Sequence, residues 1–573
     1  MRINKLNLIA VSFVALAATS CSDDFLNTSS KTELNSSSFY KTQVQAEYAL
    51  TGCYDKYQRT VSDGAWPGMY LAAEFGSDDC FGGGSPTDGC NRFDKMDTKL
   101  ATDKDNTFES LWKLEYQAIY NANLLIASVD NITFSSDGTK NAVAGEVRAL
   151  RGLEYFDLVR IFEKVPLLTA PSTEVVPQST PDSIYAQIVS DLEYAAKTIP
   201  ATSNTDNSKY LGHISKYAAE AMLARVYLFY DGVYNNNGGG TMPGGLTKAQ
   251  ALAYCEDVIS SGVYKLESDF STLWPAACAI KMDNPNGEYL EDKVLANYKE
   301  ASQEFLWVVK FNNDQNYTST NGGNPDGNRF ICDLGLRGVS SGAGAPYAQG
   351  WGQCPVSSVA YNMFDSSDSR RTASIIDCKS LGVYNTQIAT DEMDYTGYVN
   401  KKYCPVCYTN GGQITYIGNT VAGDWQLSQD QNWVLMRYSD VLLMAAELGS
   451  ANATKYFNLV RERAYGTKDH DLASAPTTEQ IWTERRKEFV CEGIRYFDLM
   501  RQGLDRFVSA LANQGTTTGT AAGASQTVYS NRVQTSIASD YSADNFRATR
   551  GFWQIPTNQI TLSGGVYSQN AGW

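Results

Sequence analysis

Over most of the first half of the chain, apolar residues recur at three- and four-residue spacing. That spacing predicts amphipathic helices over residues 44–60, 108–130, 141–162, 181–199, 214–230 and 248–262. Pro181 and Gly262 sit where helix start and stop signals belong. Over 214–230, Ala and Leu alternate with Tyr, a pattern that lets helices approach closely, and insertions such as NNNGGGTMPGGL (235–246) interrupt the series. From about 270 to 432 the helical signal mostly vanishes. Gly, Asn, Asp, Tyr and Trp dominate there, with short strand-like runs such as 305–311. Helices are predicted again over 433–466 and 478–512, and a loop-rich tail, 513–573, closes the chain. The expected fold class is mostly α. Stacked helix pairs over about 40–269 and 433–512 form a scaffold, because one pair alone cannot hide its apolar face. A large irregular, loop-rich region is expected over about 270–432.

One phrase occurs twice: YFDLVR at 155–160 and YFDLMR at 496–501. In each, Tyr, Phe and Leu supply a wide apolar face. Asp157 and Arg160, like Asp498 and Arg501, lie three apart, where opposite charges are neighbours on a helix. Glu492 and Arg495 repeat the spacing. With no nucleophile or phosphate loop nearby, the phrase reads as one packing problem solved twice, its arginines pinned by acids.

The N-terminus sets the compartment. Arg2 and Lys5 precede an apolar run, 6–18, that is too short to span a bilayer but suits a secretory leader. Ala-Thr-Ser then leads into Cys21 in a pattern that resembles the lipobox of bacterial lipoproteins, in which the cysteine is acylated. Ser22, Asp23 and Asp24 resemble the surface-export tag of Bacteroidetes lipoproteins. The expected organisation is a signal peptide (1–20), a lipidated tether (21–39) rich in Ser, Thr and Asn, and a single domain (40–573). The formal net charge of −16 becomes about −18 once Arg2 and Lys5 are removed, a surface that repels phosphate backbones, so nucleic acid is not an expected partner.

Candidate chemistry is sparse. The 12 cysteines include Cys21 and leave an odd number with no compact disulfide framework; Cys80 and Cys90, flanking a Gly-rich loop, are one candidate pair. Cys404-Pro-Val-Cys407 is a CxxC, but His213 and His470 are the only histidines, so no metal, cofactor or histidine-based catalytic arrangement is expected. A carboxylate-pair glycosidase stays open, since nothing among 63 acidic residues singles out a pair.

ALRGLEYFDLVRIFEKVPLLT (149–169), SIYAQIVSDLEYAAKTIP, NWVLMRYSDVLLMAAEL, TERRKEFVCEGIRYFDLMRQG, FWQIPTNQI and the terminal QNAGW together resemble the SusD/RagB family of surface lipoproteins, in order and from Cys21 to Trp573. The resemblance implies tetratricopeptide-like helix pairs as a scaffold, with the large irregular region over about 270–432 building the ligand-binding face. It implies an outer-membrane location facing the cell exterior, held by the lipid anchor. It further implies a SusC-like TonB-dependent barrel as partner, a glycan as the usual ligand and occasionally a peptide, and binding without cleavage. A surface glycoside hydrolase is the remaining alternative.

Sugar recognition uses aromatic faces with nearby amides, acids or arginines. Trp112, Trp307, Trp433, Trp482 and Trp553 sit in apolar runs and are expected in the core, whereas Trp66, Trp351 and Trp425 lie among Gly, Pro and polar residues. The candidate ligand contacts are Trp66, Tyr70, Asp78, Asp79 and Arg92 in the stretch 65–93, with Tyr347 and Trp351 in APYAQGWGQC as the second choice.

Overall fold

The computed structural model describes residues 39–62, 65–85, 87–96, 106–279, 295–312, 326–339, 345–381, 392–410, 413–417, 426, 429–513 and 542–573. Cys21, most of the tether and Trp425 lie outside these residues.

The main helices are α1 (Gln43–Val61), α2 (Met69–Glu74), α3 (Glu109–Ser128), α4 (Asp137–Phe162), α5 (Pro181–Thr198), α6 (Lys216–Asn235), α7 (Lys248–Ser260), α8 (Tyr438–Glu447), α9 (Ala453–Tyr465), α10 (Thr478–Phe489) and α11 (Arg495–Met500). Their starts follow local chemistry. Thr42, Thr247 and Thr477 close capping boxes with a Gln three residues on, Ser136, Thr180 and Ser215 cap by side chain, and Pro181 occupies the first turn of α5. The helices pack as the pairs α1/α3, α4/α5, α6/α7 and α8/α9, and each pair also touches the next. The apolar cluster between them runs from Ala46 to Ile555.

Two expectations about the last helices fail for local reasons. Residues 433–437 are not helical. WVLMR is buried along its whole length and forms an antiparallel strand against Phe305–Val309, with Val308 opposite Val434. A short run that is buried at every position carries no periodicity that separates strand from helix. The expected helix over 478–512 breaks at Cys491 (φ 65°) and Gly493 (φ 76°). A side chain on Gly493 would come within 2.7 Å of the Tyr70 ring. Because of that break, Glu492 and Arg495 do not pair with each other. Glu492 instead accepts from Arg437 and Lys402, while Arg495 donates to Asp78. Cys80 and Cys90 are likewise both buried and not joined in a disulfide.

The repeated phrase is buried in both places. Asp157 pairs with Arg160, and Arg501 Nε lies 2.7 Å from Asp498 Oδ1. The two copies also meet: the Arg160 guanidinium lies over Phe156 at 4.1 Å and over Phe497, from the second copy, at 4.3 Å. A Cβ on Gly232 of α6 would lie 2.1 Å from the Arg501 carbonyl oxygen, so only glycine lets α6 pass there.

The irregular region is fastened to this scaffold by buried charge. Arg437 Nη1 contacts Glu304 at 2.8 Å and Glu488 at 2.5 Å, and its Nε and Nη2 grip Glu492 at 2.9 and 2.8 Å. Lys402 reaches Glu492 at 2.6 Å, and Arg463 joins Glu304 and Glu488. Arg370 extends the lattice to Asp368, Glu484 and Glu488, at 2.7, 2.7 and 3.0 Å. Burial alone would raise Glu488, but Arg463, Arg437 and Arg370 outweigh it and hold the carboxyl well below its usual range.

Glu74 is a buried acid of another kind. It accepts the Gly493 N–H at 2.6 Å and the Cys80 thiol at 3.7 Å. Burial, reinforced by Asp79, pushes its carboxyl up to about 8. Burial moves Glu115 and Glu154 in the same direction. The folded chain therefore keeps a proton at Glu74 that the unfolded chain releases near 4.5, and stability falls as pH rises from about 4.5 to about 8. Urea unfolding across that interval should show the fall, and Glu74→Gln, which cannot ionise, should lose less. Equal losses in both proteins would mean that folded Glu74 is already ionised.

Candidate functional site

The stretch containing Trp66 is held from two sides. Residues 80–84 pair with 352–356, through Phe81 N–H to Pro355 O (3.0 Å), Gly84 N–H to Gly352 O (2.9 Å) and Cys354 N–H to Gly82 O (3.1 Å). This pairing carries Gln353 to Trp66, whose indole N–H donates to Gln353 Oε1 at 3.3 Å. Trp66 is half-buried. Its ring edges meet Phe75 and Phe93, each at 6.5 Å between centroids, and the Arg92 guanidinium lies 5.4 Å from its centroid. Burial lowers the Arg92 pKa from its usual value, consistent with its position against Trp66 and Phe93.

Beside Trp66 is a cavity of about 160 Å³ lined by Ser62, Gly68, Arg329, Phe330 and Asp333. Ser62 Oγ shapes its edge by accepting the N–H groups of Arg329 (2.6 Å) and Phe330 (3.3 Å). Two residues before Gln353 stands Trp351, also half-buried. Arg337 lies 5.5 Å over the Trp351 ring and donates to its carbonyl at 3.3 Å. Fold pairing thus brings Trp66, Arg92 and residues 351–353 into one neighbourhood. Tyr347, four residues before Trp351, bridges Val406 and lies under Lys401 Nζ at 5.4 Å.

Three expected contact residues lie beneath this surface rather than on it. Tyr70 is fully buried, stacked on Phe330 at 4.2 Å; its hydroxyl donates to Cys491 O at 3.0 Å and accepts from Asn400 at 2.8 Å. Asp78 and Asp79 are buried and face inward. Arg495 grips Asp78 at 2.7 and 3.0 Å, while Arg486 reaches Asp78 at 2.9 Å and Asp79 at 2.7 Å. Burial opposes ionisation of Asp78, yet Arg486 and Arg495 win and bring it to about 2. These acids anchor the Trp66 stretch to α10 and α11. Arg329, Arg337 and Gln353 were not expected at the site. Each is an isolated polar residue in an aperiodic segment, so only the fold reveals its position.

The arrangement offers half-buried indoles with guanidinium donors beside them and the Gln353 amide at the edge of one. That combination suits a polyhydroxylated ligand, whose C–H faces stack while its hydroxyls accept. His213 Nδ1 sits 2.9 Å from Glu146, and the His470 ring stacks on Tyr465 at 3.7 Å. Among the described residues no group of three or more His, Cys, Asp or Glu is arranged to hold a metal, and no helix is long and apolar enough to cross a membrane.

Comparison with known proteins agrees with this architecture. A family model described as "SusD family" matches residues 303–573, and one described as "Starch-binding associating with outer membrane" matches 24–228. A SusD-like protein of Formosa agariphila is 24% identical over 537 residues, covering 87% of this chain and 90% of the relative. A SusD-like protein of Bacteroides ovatus is 24% identical over 523 residues, covering 87% and 82%. Among solved structures, surface glycan-binding protein A from Bacteroides fluxus superposes with a TM-score of 0.69 at 22% identity, over 93% of this chain and 100% of that one. The same protein from Bacteroides thetaiotaomicron, in complex with laminarihexaose, gives 0.67 at 22% identity, over 93% and 100%. At these identities the structural likeness speaks for the fold, which is the tetratricopeptide-like helical fold of that group. The two family matches, the relatives along most of the chain and the shared fold agree: this chain belongs to the SusD/RagB family.

Proposed function

We propose that this protein is a cell-surface glycan-binding lipoprotein of the outer membrane that captures oligo- or polysaccharide without cleaving it and passes it to a SusC-like TonB-dependent barrel. The observation that carries the reading is the half-buried Trp66 indole, with Arg92 at its face and Gln353 at its N–H, in a family whose similar structures include a laminarin-binding protein and a laminarihexaose complex. Acylation of Cys21 provides the anchor and 22–39 the tether. Residues 40–573 act as one unit, a reading supported by the apolar cluster that spans Ala46 to Ile555. One acyl chain binds a membrane only marginally, whereas a multiply acylated cysteine holds it stably.

Two measurements test this. The first is a binding screen of the soluble chain against a polysaccharide panel, repeated with Trp66→Ala. An aromatic stacking contact is worth about 1 kcal/mol, or roughly fivefold in affinity. Trp66→Ala should weaken binding by about that factor with little change in thermal midpoint, and the glycan should be recovered intact. A large drop in the midpoint would make Trp66 a packing residue. Binding of oligopeptides in place of glycans would redirect the ligand class, and release of reducing sugar would overturn the non-catalytic reading.

The second is gentle detergent extraction of the tagged lipoprotein, which should bring a large β-barrel with it. Cys21→Ala should be lost from the outer-membrane fraction. Recovery of the lipoprotein alone, under conditions that preserve other barrel complexes, counts against delivery through a barrel.

A further inference from the structure

A groove of about 490 Å³ shares no lining residue with the cavity beside Trp66. One wall is a face of α3. Trp112, Tyr116 and Tyr120 fall at four-residue intervals, so they form a row along the helix about 12 Å long. Trp112 and Tyr116 are in ring contact at 5.2 Å, Tyr567 adds a ring 6.1 Å from Trp112, and Tyr120 is 39% exposed at the open end. A second row, Lys113, Gln117 and Asn121, runs beside the first with the same interval and also lines the groove.

The opposite wall, residues 166–175, is fixed in advance. Tyr116 donates to Pro166 O at 2.7 Å, Asn123 donates to Leu168 O and Ala170 O at 2.9 and 3.3 Å, and Arg151 donates to Thr169 O at 3.2 Å. This wall presents Val175, 49% exposed, to the groove. Both lysines of the groove have acid neighbours: Lys113 lies 2.7 Å from Glu109, and Lys56 lies 3.8 Å from Asp55. The groove therefore does not call for an anion.

From this geometry we infer that the α3 groove is a second carbohydrate-binding site, taking a neutral linear oligosaccharide. Successive sugar rings stack along the Tyr116–Tyr120 row, and Gln117 and Asn121 hydrogen-bond their hydroxyls. An aromatic row with a parallel amide row supplies the two contacts a sugar chain needs, C–H stacking and hydroxyl pairing. Tyr120 and Gln117 are both exposed along the groove, where a ligand can reach them. The inference rests on the glycan-capture reading. It adds a second contact on the same molecule, which raises avidity for a long chain without strengthening either site.

Calorimetric titration of the soluble chain with laminarihexaose, maltohexaose and cellohexaose tests it, using wild type, Trp66→Ala, Tyr120→Ala and the Gln117→Ala/Asn121→Ala pair. At least one probe should still bind Trp66→Ala. That remaining binding should weaken about fivefold when Tyr120→Ala is added, and fall again with the amide pair removed, while the thermal midpoint is kept because these side chains reach solvent. Binding that vanishes with Trp66→Ala alone, or that ignores Tyr120→Ala and the amide pair, overturns the second site and leaves the capture reading standing. A wild-type chain that binds none of these probes overturns the second site, and one that also binds nothing on the polysaccharide panel overturns the capture reading.

Discussion

Arg437 is the constraint on which the loop-built part of the molecule depends. Its guanidinium meets three carboxylates from two separated segments, Glu304 on one and Glu488 and Glu492 at and just past the end of α10 on the other, and it is 1% exposed. Removing so many charges from water is costly, and mutual attraction offsets the cost only where every donor and acceptor is matched. That requirement fixes where 304, 402, 437 and the end of α10 must lie relative to one another. An apolar core would have tolerated more slippage. The irregular region has only short two-stranded ladders of its own among the described residues, so this lattice supplies registration that a large sheet would otherwise give.

The same device recurs closer to the candidate site. Asp78 and Asp79 lock onto Arg486 and Arg495, tying the Trp66 stretch to α10, which carries Glu488, and to α11, which follows Glu492 across the break. Scaffold, charge lattice and aromatic surface are thus mechanically continuous. A glycan-binding surface gains from this, because stacking and hydroxyl pairing are weak individually and lose affinity when the groups must be ordered on binding. The repeated phrase belongs to the same logic. Its two copies meet through Arg160 and Phe497 and join the early helices to the late ones.

Legibility in the sequence followed the range of the interactions. Helices such as 43–61 and 181–198 were readable because their periodicity and caps are local. The strand 433–437 was not, since five consecutive buried residues carry no period, and its partner lies at 305–309. Gly493 and Gly503, both at positive φ, mark the breaks in the 478–512 segment and were visible as glycines, but the helical pattern around them masked their meaning. At the site, Trp66 and Arg92 were legible as an aromatic and a cation in one loop. Gln353 was not, being 287 residues away and delivered by strand-like pairing. Asp78 and Asp79 look like sugar-binding acids in sequence; only their distant arginines show that they face inward. The aromatic row of α3 was present as a pattern, yet Trp112 alone stood out, as a core residue.

Replacing Arg437 by methionine, with urea unfolding and amide hydrogen exchange as readouts, tests most directly whether buried charge holds the loop region to the helices. The account predicts a loss of about 3–5 kcal/mol, the cost of leaving buried carboxylates unpaired, with exchange accelerated first at 305–309, 400–404 and 433–437. The exposed Arg506–Glu479 pair, broken by Arg506→Met as a control, should cost about 1 kcal/mol or less. An Arg437→Met protein as stable as wild type, with those amides still protected, would contradict the account.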